Sequence, residues 1–336
     1  MLEIDRIFRV EGTPYAIGHA LGRRIGPRLE RIITAYIEQG PSAYGGVDAD
    51  RLARETASWF DGLPDRYRQE MSGLADGAGI PVRRVAEWTY VEACTAPGCS
   101  SVLLTVTGHT WVARNNDIWA PDLWGYVTIR EPADRIPTLS IGMPGETFTA
   151  TGVNREKLWL HYHYLLTPTA IPSPDGAWFE FQWMTEALET CSSLADVCAW
   201  LNRQPRRGSM VLFAVDGKTD ERAVLECLPG SHQRWPDDGF AIAATNHSLF
   251  DDPEGDSDSH QRRVALQRRL SEPAATVIDD PADTLRSLLA DPAVEQHRPG
   301  YGTVYSAVAC PATGIVWTTL GGFPAASHGA WESIAW

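Results

Sequence analysis

Apolar residues recur at helical spacing through most of the first hundred positions. Ile17, Leu21, Ile25, Leu29, Ile33 and Tyr36 mark one face, opened by Thr13 as a cap and Pro14 in the first turn, and kinked or divided at Pro27. A second run, Leu52, Thr56, Trp59 and Leu63, stops at Pro64, and a third, Tyr67, Met71, Leu74 and Ala78, stops at Gly79. Pro81 then opens a short helix through Val85, Trp88 and Val91. Residues 1–98 therefore read as mostly helical.

The period changes at Gly98. Residues 101–106 and 110–114 are β-type runs around the turn Thr107-Gly108-His109, which predicts a hairpin with Cys99 at its start. Further strands are expected at 126–130, 138–142, 158–164, 210–215, 223–228, 240–245, 303–309 and 315–320, and helices near 179–189, 194–202, 260–270 and 281–289. That count favours sheets covered by helices, an α+β architecture. The acidic stretch 251–258, with Pro253 and Gly255, reads as a loop, and the chain shows no internal repeat.

Composition adds exclusions. A chain of 336 residues, 43% hydrophobic, can bury the core of one large domain or two ordinary ones. A formal charge of -14 argues against a nucleic-acid partner, because phosphate binding demands a basic surface. The start, Met1 to Asp5, lacks a basic region followed by an apolar stretch, and no window approaches the ~20 apolar residues of a membrane span. A soluble, cytoplasmic protein with no membrane partner is expected. Six cysteines, at 94, 99, 191, 198, 227 and 310, are too few and too irregular for a disulfide scaffold. There is no Cys-x-x-Cys pair or zinc-like Cys/His spacing, so neither metal nor cofactor is expected.

Cys99 stands apart from the other thiols, which read as small buried hydrophobes. It follows a glycine, directly after a helical segment, at the first residue of a strand. Gly98 offers conformational freedom for a strained peptide bond, and Ser100 and Ser101 are small polar neighbours. Cutting the Gly98-Cys99 bond would give Cys99 an α-amine of reference pKa about 8, placing a base on the nucleophile itself. Arg114-Asn115-Asn116-Asp117 ends the next strand, where Arg114 and Asp117 can fix the amine and the thiol, although the same run is ordinary turn chemistry. Thr245-Asn246-His247 ends another strand on an amide able to donate to a developing oxyanion, and Ser257 to Arg263 reads as a helix start presenting Arg262 or Arg263.

Taken together these elements resemble the N-terminal nucleophile (Ntn) hydrolases of the acyl-coenzyme A:6-aminopenicillanic acid acyltransferase family, the isopenicillin N acyltransferases, which are similar to the choloylglycine hydrolases. The resemblance runs from Glu11-Gly12-Thr13-Pro14-Tyr15-Ala16-Ile17-Gly18 through Gly98-Cys99-Ser100-Ser101, Arg114-Asn115-Asn116-Asp117, Gly152-Val153-Asn154, Thr245-Asn246-His247 and Ser259-x-x-Arg262 to Thr303-Val304-Tyr305-Ser306 and Gly321-Gly322-Phe323-Pro324. It implies an αββα sandwich, self-cleavage between Gly98 and Cys99, and retention of 1–98 as a small subunit beside a catalytic segment 99–336. By the same resemblance Cys99 is nucleophile, its α-amine the base, Arg114 and Asp117 the positioning groups, Asn246 the oxyanion donor and Arg262 a supporting residue, with Arg263 the alternative. The helix reading Gln182-Trp183-Met184-Thr185-Glu186 lacks an arginine that many relatives carry, so the substrate-facing wall is expected to differ.

Trp119, Trp124, Trp159, Trp178 and Trp183 make an aromatic-rich middle region that is either core or pocket, with Trp119, Trp124 and Trp183 the candidates for substrate binding. His161 and His163 alternate with Tyr162 and Tyr164 and read as sheet-surface or pocket-lining residues, while His247 is a candidate auxiliary acid. The expected activity is hydrolysis of an acyl or aminoacyl amide of a small amine through a Cys99 thioester. Acyl transfer to an amine is the nearest alternative, and a non-catalytic binding protein on the same fold is the alternative of another class.

Overall fold

The computed structural model describes residues 5–39, 49–165, 176–252, 257–271 and 278–336. Part of the predicted acidic loop, including Pro253 and Gly255, lies outside them. In chain order, β1 (Ile7–Gly12), α1 (Pro14–Ile25), α2 (Arg28–Gln39), α3 (Ala49–Asp61), α4 (Asp65–Ala78) and α5 (Val82–Ala93) lead to a hairpin of β2 (Gly98–Val106) and β3 (His109–Trp119). There follow β4 (Tyr126–Pro132), β5 (Thr138–Gly142), β6 (Thr151–Asn154), β7 (Leu158–Tyr164), α6 (Glu180–Thr190) and α7 (Leu194–Arg203). The chain continues with β8 (Met210–Asp216), β9 (Glu221–Leu228), β10 (Ser231–Arg234), β11 (Ala241–Ala244), α8 (Asp258–Ser271) and α9 (Pro281–Leu289). It closes with β12 (His297–Arg298), β13 (Tyr301–Cys310), β14 (Ile315–Thr319), α10 (Ala325–His328) and β15 (Trp331–Ser333).

Among the described residues the strands form two sheets. One has eight strands in the order β1-β4-β5-β6-β7-β8-β9-β10; the other runs β11-β2-β3-β13-β14-β15, with β12 added on β13. Alternation along single strands shows the layering. In β8, Met210, Leu212 and Ala214 pack with Leu188 and Val197 of α6 and α7, whereas Val211, Phe213 and Val215 join the central cluster. In β2, Val102 and Leu104 pack with Leu266 and Leu285 of α8 and α9, whereas Leu103 faces the centre. Helices thus cover both outer faces of two stacked sheets, the expected αββα sandwich.

The N-terminal segment is not only helical. Phe8 and Val10 are buried while Arg9 and Glu11 are exposed, the period of a strand, and β1 lies parallel to β4 at the edge of the eight-stranded sheet. Glu70 of α4 pairs with Arg130 of β4 at 3.2 Å, both nearly solvent-free, and the Tyr67 hydroxyl donates to Glu186 of α6 at 2.6 Å. Helices α1 and α4 cross in backbone contact, because a Cβ on Gly18 would stand 1.9 Å from the Glu70 carbonyl oxygen, and one on Gly77 2.3 Å from that of His19. Residues before Cys99 are therefore built into the sandwich.

Candidate active site

The β2–β3 hairpin sets the site. Thr107 and Gly108 both have positive φ, 49° and 84°, the two-residue turn whose twist matches antiparallel strands. Its register places Cys99 opposite Asn116, Gly98 opposite Asp117 and Ser101 opposite Arg114. Strand β3 continues to Trp119, so Arg114 to Asp117 lie within the strand rather than at its end as expected. On the other side of β3, a bulge between Thr303 and Tyr305 sets Thr303 opposite Asp117 and Tyr305 opposite Asn116.

Pleating divides the surroundings of Cys99 in two. Toward the space between the sheets, its sulfur lies 3.5 Å from Arg114 Nη2 and 3.8 Å from Asn116 Oδ1, fully buried. Arg114 also donates to Asn116 Oδ1 at 2.8 Å and to the Ala150 carbonyl, so its guanidinium is held in place. Burial pushes the thiol up, against the pull of Arg114, and in the uncut chain it is a protonated thiol near neutral pH.

Toward the outer helical layer, the Cys99 backbone N–H donates to Asn246 Oδ1 at 2.7 Å. Arg262, reaching in from α8, donates to the Cys99 carbonyl at 2.5 Å, Ser100 Oγ at 2.7 Å, Asn246 Oδ1 at 3.1 Å and Asp258 at 2.9 Å. Arg263 instead lies over the Trp235 ring and makes none of these contacts. Asp117 Oδ1 accepts from Thr303 Oγ1 at 2.7 Å, while Oδ2, 3.7 Å from Arg262, has no hydrogen-bond partner. Burial raises the Asp117 carboxyl and Arg262 opposes that rise.

Two expectations change in detail. Gly98 has ordinary extended backbone; what favours glycine there is close packing, since a Cβ would come within 2.9 Å of the Tyr301 hydroxyl and 3.2 Å of Asp117 Cβ. Asn246 has no free donor, since its Nδ2 serves the carbonyls of Pro97 at 3.1 Å and Tyr164 at 2.9 Å. Pro97 also separates two spaces. A small interior cavity of about 30 Å³, bordered by Asn116, Trp124, Tyr305, Glu92 and Glu146, lies on one side. A more open cleft of about 220 Å³, bordered by Gly98, Asn246, Asp258, Arg262 and Tyr301, lies on the other.

The aromatic and histidine candidates separate. Trp124 borders the cavity, Trp119 stacks on Tyr36 at 5.4 Å, and Trp183 packs on Trp200 in the outer α6–α7 layer, so the substrate-binding reading of Trp183 is corrected. His247 stacks on His260 at 3.7 Å and bonds Ser259; burial and His260 push it down to about 4, so it is neutral near pH 7 and holds no acid proton of the kind expected. His161 and His163 are not on a sheet surface but fully buried between the sheets. Trp159 Nε1 donates to His161 Nδ1 at 2.8 Å, which leaves His161 Nε2–H to donate to Ser101 Oγ at 2.9 Å. Ser101 then donates to His163 Nε2 at 2.7 Å, and His163 Nδ1 to the Thr245 carbonyl at 2.8 Å. Both imidazoles are neutral, and burial holds both well below the usual histidine range. Ser101, Ser259 and Thr303 stand in the quoted motifs without an assigned role and Tyr301 was missed, because each bonds a partner remote in sequence.

No family model matches the sequence, and no curated protein does. Solved structures do. A variant of conjugated bile acid hydrolase from Clostridium perfringens aligns with TM-score 0.51 and 12% identity over 70% of this chain and 92% of that one. The Caenorhabditis elegans ortholog of N-acylethanolamine-hydrolyzing acid amidase gives 0.49 and 13% over 70% and 100%, and penicillin V acylase from Agrobacterium tumefaciens 0.42 and 11% over 70% and 85%. The bile acid hydrolase likeness concerns the fold alone, which in this chain is an αββα sandwich. Among the described residues no helix is long and apolar enough to cross a membrane.

Proposed function

We propose that the protein is a self-processing cysteine amidohydrolase that cuts its Gly98-Cys99 bond and then uses Cys99 to hydrolyse the acyl amide of a small amine. The observation that carries this reading is the double custody of Cys99: Arg114 and Asn116 at the sulfur, Asn246, Arg262 and Asp117 around the peptide nitrogen and carbonyl. A structural thiol has no need of a second set of charged groups at its backbone. In self-cleavage the sulfur adds to the Gly98 carbonyl carbon and the C–N bond breaks, the thiol proton ending on the released amine. Water then opens the Gly98 thioester, leaving a glycine carboxylate and a free thiol. The new α-amine keeps one hydrogen bond to Asn246 Oδ1, and Asp117 Oδ2, unpartnered and beside Gly98, is the acceptor for a second.

Two things follow for turnover. The free amine takes the thiol proton, a step the buried thiol lacks in the uncut chain. Withdrawal of Pro97 frees an Asn246 N–H for the oxyanion of the substrate carbonyl, a contribution of a few kcal/mol when such donors are deleted elsewhere. Attack then gives a Cys99 thioester with release of the amine, and water releases the acid. Iodoacetamide tests the assignment in the processed protein. Loss of amidase activity in step with labelling of Cys99 is expected; activity surviving complete labelling of Cys99 overturns it.

A further inference from the structure

On the reading of Cys99 as nucleophile, self-cleavage and turnover pass through the same group of atoms, an acyl carbon bonded to Sγ. The side chains that surround Gly98 in the uncut chain therefore border the acyl group of a substrate once Gly98 has left. Two of them constrain that group closely. The Gly98 N–H donates to the Tyr301 hydroxyl oxygen at 3.1 Å. A Cβ on Gly98 would stand 2.9 Å from the same hydroxyl, 3.2 Å from Asp117 Cβ and 3.3 Å from Asp117 Oδ2. One hydroxyl thus accepts the hydrogen of the α-nitrogen and closes the space beside the α-carbon.

Both walls are held in place. Asp117 is fully buried, faces Gly98 across the β2–β3 ladder and accepts from Thr303 Oγ1 at 2.7 Å. Tyr301 opens β13 with Trp119 of β3 opposite on one side and Arg298 of β12 on the other. Burial, with Asp117 nearby, pushes its phenol up to about 12, so near neutral pH the hydroxyl is uncharged and its oxygen accepts as a neutral group. The chain ahead of Gly98 runs along the open cleft, also bordered by Ala96 and Tyr164. Its free space of about 220 Å³ exceeds the roughly 150 Å³ that admits a benzene ring, and departure of residues 96–98 adds their own volume.

We infer that the acyl group this enzyme prefers is an N-acylglycyl group, its amide N–H donating to Tyr301, its unbranched α-carbon against Asp117 and its N-acyl end in the cleft. Tyr301 is then the residue that sets specificity. The Cys99 sulfur adds to the glycyl carbonyl carbon, the C–N bond breaks, and the thiol proton, taken up by the α-amine, passes to the leaving amine. Water then splits the thioester into an N-acylglycine and the free thiol. The oxyanion takes the Asn246 N–H that the Pro97 carbonyl gives up, so carbonyl and α-nitrogen are held by different groups.

The test uses processed full-length protein, its cleavage confirmed by mass, and three p-nitroanilides: N-acetylglycyl, N-acetyl-L-alanyl and 4-oxopentanoyl. The third matches the first except that a methylene replaces the N–H. The acetylglycyl anilide is expected to exceed the oxopentanoyl one in kcat/KM by about three- to tenfold, the worth of a neutral hydrogen bond. It should exceed the acetylalanyl one by about tenfold or more, because that methyl meets packed atoms. Tyr301→Phe should lower both ratios, the first to about one, since one hydroxyl makes both contacts; damage to the fold lowers all three rates together. The wild-type ratios carry the test alone if the variant fails to process itself. Wild-type ratios near one, or ratios unchanged in the variant, overturn the acyl assignment and leave the hydrolase reading standing. A processed enzyme that cleaves none of the three overturns the assignment as well, whereas a chain that never cuts itself overturns the nucleophile reading beneath it.

Discussion

Replacing Arg262 by methionine, in a Cys99→Ala chain that cannot process itself, isolates the charge arrangement around the scissile bond. Arg262 is 4% exposed, and its removal strips the Cys99 carbonyl, Ser100 Oγ and Asn246 Oδ1 of a donor and leaves the fully buried Asp117 without its cation. Breaking a buried pair from one side costs about 3–5 kcal/mol. With an unfolding entropy of roughly 0.7 kcal/mol/K for a chain of this length, that lowers Tm by about 4–7 °C. The loss also carries a pH signature. Burial already raises Asp117, and without Arg262 only the Thr303 hydrogen bond and Arg114 oppose it. A carboxyl whose folded pKa lies above its unfolded value of about 3.9 costs stability as pH rises from that value to the folded one. The deficit of the variant should therefore be larger at pH 8 than at pH 5, and Asp117→Asn added to Arg262→Met should recover much of it at pH 8. Urea unfolding at both pH values provides the measurement. A loss under about 1 kcal/mol, or a deficit that neither shrinks at pH 5 nor yields to Asp117→Asn, refutes the reasoning.

Gly98→Ala, in the same background, pushes a methyl to 2.9 Å from the Tyr301 hydroxyl and should cost about 1–3 kcal/mol, with Tyr301→Phe returning part of it; an unchanged urea midpoint contradicts the close-packing argument. His163 is held neutral, its folded pKa well below the unfolded value of about 6.5, so as pH falls below that value the unfolded chain takes up a proton the folded chain refuses. Its stabilisation is lost by up to about 1.4 kcal/mol per pH unit there, and the stability gap between the wild-type chain and His163→Gln should narrow from pH 7 to pH 5. A gap independent of pH counts against the buried relay.

Local chemistry made the hairpin legible before any coordinates. Thr107-Gly108 turns the chain, the runs on either side are β-type, and Cys99, Arg114 and Asp117 are brought together within nineteen residues. Strand β1 was hidden because its short alternation precedes a capped helix, and its partner β4 lies more than a hundred residues away. A separation of 60 and 62 residues hid the link from Ser101 to His161 and His163, which crosses from one sheet to the other. Asn246 was found by its place at a strand end, but no local pattern could show that the Pro97 carbonyl occupies its amide. Trp183 misled because aromatic residues look alike in sequence whether they border a cavity or fill an outer layer.

The central claim is that Cys99 cuts the bond before it. The direct test is the intact mass and N-terminal sequence of purified protein against the Cys99→Ala chain after equal incubation. The wild-type chain should resolve into two fragments, 1–98 and 99–336, the second beginning at Cys99, while the alanine chain stays whole. A wild-type chain that remains whole while hydrolysing amides, or an alanine chain that is cut at the same bond, contradicts the account.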